Sequence, residues 1–380
     1  MFDERAQIRD QALEVARGWS GPGAPASWAL TAGLFAGLAS DEDLLRLAAE
    51  IPTAKLPALL FVASVQQVVR HHGDDPFAAY FPSEGGAQPP LDGSFGGRYR
   101  QFCSEHRDEL AEIWDRRYYQ MNEVARSVQV ALALAVLENL APGREVGLVD
   151  LGTGAGLGLL PDRYRYRFGD GSEMGDAASP VEISCALQGA LVPRFRQMPT
   201  VSSRLGIDID PIDLDDADAC AWFAACLPPE VTALARAKNA IELVRRAGLE
   251  VVRGSALDVL AGVLAGRRAG ELICVVDTYT AVFFDAAEQL QLAQLIASVG
   301  ETRDIAWISL DPLVPLGTDA RLTVQGTSAP RALIDRNRRG GVFGALSLAA
   351  HLGDTSTSTI LATAHPSGTQ MEWLDAATAT

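Results

Sequence analysis

Val149-Asp150-Leu151-Gly152-Thr153-Gly154-Ala155-Gly156 is an apolar run that stops on three alternating glycines. Val146-Gly147-Leu148 precedes it and completes the pattern of a short, wholly buried strand. A strand that turns into a helix over Gly152, Gly154 and Gly156 exposes backbone without Cβ atoms, which lets another group come close. A dinucleotide fingerprint would need its last glycine one place later, where Leu157 stands. A tight strand-to-helix turn with no ligand is the bland reading of the same residues.

Further strands of this kind follow at Arg204–Asp208, Leu249–Arg253, Leu272–Asp277 and Ile305–Leu310. Continuous apolar strands separated by helical stretches predict a mostly parallel, doubly wound α/β sheet. Segments 321–326 and 357–364 also read as strands, but without full crossover helices, so an antiparallel C-terminal edge is expected. Upstream, segments 5–18, 41–50, 54–70 and 104–140 carry apolar residues at helical spacing, with 117–140 as one long helix leading into the first strand. The expected division is a helical domain over 1–115, acting as a cap or an oligomerisation surface, and an α/β domain over 116–380. An insertion at 162–200 alternates at Tyr164-Arg165-Tyr166-Arg167-Phe168, turns at Gly169–Ser172 and returns at Val181–Leu187. It reads as an inserted β-hairpin near the ligand edge, with the character of a lid.

The second strand ends Gly206-Ile207-Asp208-Ile209-Asp210-Pro211, which sets a carboxylate where ribose hydroxyls lie across a switch point. A capping carboxylate is the bland alternative. Together with the glycine turn, these residues resemble the first two motifs of class I S-adenosylmethionine (SAM) dependent methyltransferases. The resemblance implies a Rossmann-like class I sheet with SAM as cofactor and S-adenosylhomocysteine (SAH) as product. It implies that Asp150, Gly152, Thr153, Gly154 and Gly156 surround the methionine part, and that Asp208 and Ile209 hold the nucleoside. Ser255 and Ala256 stand where many such enzymes have Asp-Ala against the adenine, and Asp277 ends the fourth strand. The stretch from Gly156 to Asp208 is more than twice the roughly 20 residues of a simple unit, which the insertion accounts for.

A second resemblance runs from about residue 55 to 375. Tyr119-Gln120-Met121-Asn122-Glu123-Val124-Ala125-Arg126-Ser127, Pro161-Asp162-Arg163-Tyr164-Arg165-Tyr166, Ala221-Trp222 and Glu372-Trp373-Leu374 are similar to stretches of the largely actinobacterial domain of unknown function 2332. That family implies no reaction. Here the turn Gly-Thr-Gly-Ala-Gly is nearer to methyltransferases than the family's Gly-x-Ser-Ala-Gly. Pro366-Ser367-Gly368 replaces the family's Pro-His-Gly, leaving His365 beside it.

Charge and composition narrow the partners. Thirty-two Lys and Arg against 48 Asp and Glu give a net charge of −16, which argues against nucleic acid and against an anionic membrane surface. No apolar leader or spanning run is seen, and five scattered cysteines read as reduced thiols, so a cytoplasmic setting is expected. The histidines show no zinc spacing, and His71-His72-Gly73-Asp74-Asp75 reads as a helix end in a solvated turn, so no metal is expected.

The function expected is methyl transfer to an O or N of a small molecule, of the kind found in secondary metabolism, with a homo-oligomer compatible. The alternative is a protein of this fold that binds SAM, SAH or a nucleoside without transfer. Glu123, His365 and Tyr279 are the candidate catalytic residues, and Asn122, Arg126, Arg163 and Tyr164 the candidate substrate contacts. Asn122 and Arg126, four apart on the predicted helix, would share a face next to Glu123. An ion pair of Glu123 with Arg126 on a solvated surface is the bland reading. Asp277-Thr278-Tyr279-Thr280 lacks the Asn/Asp-Pro-Pro-Tyr signature of amino methylation on bases.

Overall fold

The computed structural model describes residues 4–21, 24–90, 92–189, 197–313, 323–325, 327–339 and 343–374. The chain forms two compact units, 1–122 with 213–237, and 123–212 with 238–380.

The first unit is helical. Helices Glu4–Ser20, Ala29–Ser40, Glu42–Ala48, Pro57–His71, Phe95–Glu105 and Arg107–Arg116 are joined by Ala217–Ala225 from the later segment. Leu34, Leu38, Phe61, Val65, Phe77, Tyr99 and Phe102 centre its core, which Trp222, Ala225 and Cys226 complete. Trp222 donates its indole N–H to the Tyr118 carbonyl at 2.9 Å, and Arg70 donates to the Ala221 and Ala224 carbonyls. The expected division ends the helical domain at 115 and places 213–237 in the α/β domain. Burial of Trp222 among helical-core side chains attaches that segment to the first unit.

Among the described residues, the second unit is built on one sheet of eleven strands. In chain order they are β1 (Val146–Leu151), β2 (Arg165–Phe168), β3 (Glu173–Gly175), β4 (Glu182–Gln188), β5 (Val201–Asp208), β6 (Glu250–Arg253), β7 (Leu272–Thr278) and β8 (Ile305–Pro312). A separate two-stranded ribbon, β9 (Thr323–Val324) and β10 (Thr327–Ser328), precedes β11 (Gly344–Leu352), β12 (Thr355–Ala364) and β13 (Gln370–Trp373). The order is β3-β2-β4-β13-β12-β11-β8-β7-β1-β5-β6. The run β6-β5-β1-β7-β8 is parallel throughout. It has the 3-2-1-4-5 order of a doubly wound sheet, so the switch point lies between β1 and β7. β11 pairs antiparallel to β8, and β12 to β11, forming the expected antiparallel edge. Helices Ala256–Ala265 and Ala286–Gly300 cover one face with Leu260, Leu264, Leu292 and Ile296 against Val149, Ile207, Val275 and Trp307.

The inserted hairpin is β2 with β3, and the return strand β4 runs parallel to β2. β4 also pairs with β13, which makes the insertion the far end of the sheet rather than a lid. Two fully buried tyrosines fix it: Tyr164 donates its hydroxyl to the Leu157 carbonyl, and Tyr166 to the Pro161 carbonyl. Residues 190–196 of the insertion, and 321, 322 and 326 of the expected strand 321–326, lie outside the described residues.

The predicted helix over 117–140 begins later, as a 3₁₀ turn at Val124–Arg126 followed by Ser127–Leu140. Glu123 caps it by accepting the Ala125 N–H at 2.9 Å, which sets the helix start at that residue. The face that Asn122 was expected to share with Arg126 therefore does not form. Among the described residues no helix is long and apolar enough to cross a membrane.

Candidate functional site

Three carboxylates stand at the carboxyl ends of adjacent parallel strands. Asp150 is the last residue but one of β1, Asp208 ends β5 and Asp277 is the last but one of β7, each at most 7% exposed. The Thr153 hydroxyl donates to Asp150 at 2.8 Å. Burial pushes the Asp150 pKa up to about 7, with Asp277 and Asp208 raising it and the Thr153 bond opposing them. Asp277 accepts the backbone N–H groups of Thr280 and Ala281, and the Ser309 hydroxyl lies 3.4 Å from its other oxygen.

The glycine turn is shaped by what fills the space around it. Gly152, Gly154 and Gly156 have φ of 67°, 56° and 77°, a left-handed conformation in which side chains are strained. A Cβ on Gly152 would meet Thr280 Oγ1, which donates to the Leu151 carbonyl at 2.8 Å. Gly158 makes the same room for the Asp150 carboxylate, and Gly206 for the Thr153 side chain. Thr280 and Gly158 were not singled out from sequence, because only the fold brings them against the motif.

Asp208 joins the two motifs. One oxygen accepts the Gly154 N–H at 2.7 Å, and the other accepts the Asp210 N–H at 2.7 Å. Each oxygen keeps one further lone pair. Ile209, the next residue, is 71% exposed despite its apolar side chain. Ser255 precedes helix Ala256–Ala265 without a side-chain capping bond, and the Gly254 N–H is donated to the Asp208 carbonyl.

A second group lies past β7 and β8. Tyr279 has φ of 59°, a left-handed backbone on a bulky residue. Its hydroxyl is buried with no hydrogen-bond partner among the described residues, and Gly344 leaves the room it occupies. The Arg126 guanidinium sits 4.1 Å from the centre of the Tyr279 ring, and Arg126 Nε donates to the Pro366 carbonyl at 2.9 Å. Burial pushes the Tyr279 pKa up to about 12; Arg126 lowers it and Asp311 raises it. The phenol is thus a neutral donor at ordinary pH. Gly368, with φ of 75°, lets the turn after His365 rest on the backbone of Ala125 and Arg126. His365 Nδ1 accepts the Ser367 N–H at 3.1 Å and lies 2.8 Å from Ser367 Oγ, which leaves the neutral imidazole its proton on Nε2.

The predicted residues thus fall into distinct places. Asp150, Gly152, Thr153, Gly154, Gly156, Asp208, Ile209, Ser255, Ala256 and Asp277 gather at the carboxyl ends of β1, β5, β6 and β7. Glu123, Arg126, Tyr279 and His365 are linked through the Pro366–Gly368 turn and the helix start beneath it. Asn122 is the last residue of the first segment of the first unit. Arg163 is exposed and pairs with Asp162, whose carboxylate is taken by Arg204 at 2.6 Å. Tyr164, expected to touch substrate, is wholly buried with its hydroxyl committed to Leu157, a core position.

A doubly wound α/β unit with a glycine turn and an acidic strand end beside its switch point is the class that fold and site define. The chain belongs to the family described as "Uncharacterized protein conserved in bacteria (DUF2332)", which it matches over residues 9–373. Among solved structures it is similar to the plantazolicin methyltransferase BamL, in complex with a triazolic desmethylPZN analog and SAH. That likeness has 11% identity and a TM-score of 0.24, over 73% of this chain and 70% of the other. No curated protein matches the chain significantly.

Proposed function

We propose that the second unit binds SAM and transfers its methyl group to an oxygen or nitrogen of a small molecule. The observation that carries this reading is Asp208 bonded to the Gly154 N–H. Two backbone donors fix the plane of the carboxylate, and its remaining lone pairs suit the two neighbouring hydroxyls of a ribose. Exposed Ile209 offers an apolar surface beside it for a purine face. When bound, the sulfonium supplies an activated methyl group with a good leaving group, so the protein's main work is positioning. Tyr279 would donate to the acceptor, and Arg126 holds the phenol ring from above.

A carrier that binds the nucleoside without transfer is the second reading, favoured by His365, whose Nδ1 is already engaged by Ser367. Titration calorimetry with SAH, and with NAD as control, tests the primary reading. Binding of SAH alone is expected. Asp208→Ala should weaken it by roughly 1.5–3 kcal/mol, the worth of hydrogen bonds to a charged group. Binding of NAD in place of SAH, or unchanged SAH affinity in the variant, overturns the assignment.

A further inference from the structure

His72 follows the end of helix Pro57–His71, and His106 lies at the joint between helices Phe95–Glu105 and Arg107–Arg116. Their rings approach to 4.0 Å between centroids, far apart in sequence but adjacent in the first unit. Glu109, in the first turn of helix Arg107–Arg116, bonds His72 of this pair and the neighbouring His71. Its Oε2 lies 2.9 Å from His72 Nε2, and its Oε1 lies 2.6 Å from His71 Nδ1. One ligand atom each from His72, His106 and Glu109 falls within 4.8 Å of the others. A carboxylate oxygen each of Asp75 and Glu105 likewise lies within 4.8 Å of a His106 ring nitrogen.

We propose that His72, His106 and Glu109 form a site for a divalent transition-metal ion of the zinc type, which ties three helix ends together.

Two imidazoles and one carboxylate are a donor set that zinc takes in proteins, with a water completing four-coordination. Mixed N and O donors favour zinc-like ions over magnesium or calcium, which prefer oxygen alone. The edge from His72 Nε2 to Glu109 Oε2 is already short enough for both atoms to face one ion. The remaining closure falls to His106, and all three side chains are only partly buried. His71 has the place of an outer partner: its bond to the second oxygen of Glu109 orients the carboxylate from behind. Asp75 and Glu105 add negative charge around His106, which favours a cation. A sequence scan misses this set because the second imidazole comes from a different helix joint.

The test is calorimetric titration of the full chain, freed of metal by chelation, with Zn²⁺ alone and with Mg²⁺ as control. One zinc ion per chain and a raised melting temperature are expected, with no response to Mg²⁺. His72→Ala and His106→Ala should each weaken zinc by tenfold or more, and His71→Ala by about tenfold, the usual range for an outer partner. His351→Ala, in the second unit, should leave binding unchanged. Circular dichroism of the metal-free variants checks that each still folds. If His106→Ala does not fold, His72→Ala decides, together with X-ray absorption of the zinc-loaded wild type. Unchanged zinc binding in a folded His72→Ala variant, or an absorption spectrum without two imidazole ligands, overturns the proposal.

Discussion

At the scale of single residues, Asp150 carries an expectation about pH. An unfolded aspartate ionises near 4, whereas burial beside Asp277 and Asp208 keeps this one protonated up to about 7. Between those values the folded state holds a proton that the unfolded state has released. Stability should therefore fall as pH rises through that window, with a slope of up to about 1.4 kcal/mol per pH unit, and level off above it. Asp150→Asn keeps an oxygen for the Thr153 hydroxyl but cannot ionise. Chemical denaturation across this range should show the variant losing less stability than wild type; parallel curves would mean that Asp150 is ionised throughout. Tyr279 gives the opposite kind of expectation. Its buried hydroxyl has no partner among the described residues, so Tyr279→Phe should leave stability unchanged or raise it by about 1 kcal/mol. If the phenol serves the acceptor, turnover should drop once a substrate is in hand, and a variant as active as wild type would remove it from the site. Asp208 and the glycines were legible because their chemistry is local. The use of Thr280, Gly158 and Gly344 was not, since each is defined by a neighbour distant in sequence.

At the scale of elements, the insertion behaves as structure rather than as a flap. β4 bridges β2 and β13, and Gly175 at φ 86° approaches the Tyr164 carbonyl so closely that a Cβ would lie 2.1 Å from it. Gly175→Ala should cost roughly 2–4 kcal/mol, the range for a clash combined with left-handed strain. Slow hydrogen exchange along β2 and β4 in the ligand-free protein is the companion expectation; rapid exchange there would restore the lid. The alternation of Tyr164 to Phe168 shows a strand, but pairing partners are not written in alternation, and the return strand expected to close a hairpin runs parallel to β2. Helix Ala29–Ser40 lacks a periodic signal in the sequence for a related reason. Most of its residues are buried, so no polar face marks a helical period. The parallel strands were legible because burial on both faces makes them continuous apolar runs.

At the scale of the whole molecule, the division of the chain is the main departure from what sequence suggested. Composition changes near residue 145, and that change marks where strands begin, not where one compact unit ends. The helical core needs Trp222, Ala225 and Cys226 from a segment that follows the second strand of the parallel run. A fragment of residues 1–122 alone should therefore lack part of its core and melt broadly or aggregate. Adding residues 213–237 as a separate peptide should sharpen the transition, and a cooperative melt of the fragment by itself would contradict this division. The same interleaving sets a schedule for the nascent chain. Protein synthesis proceeds at about 5–20 residues/s, so on the order of ten seconds separate emergence of Asn122 from that of Ala237. Throughout that interval the helical core waits, incomplete, for a segment the ribosome has not yet made.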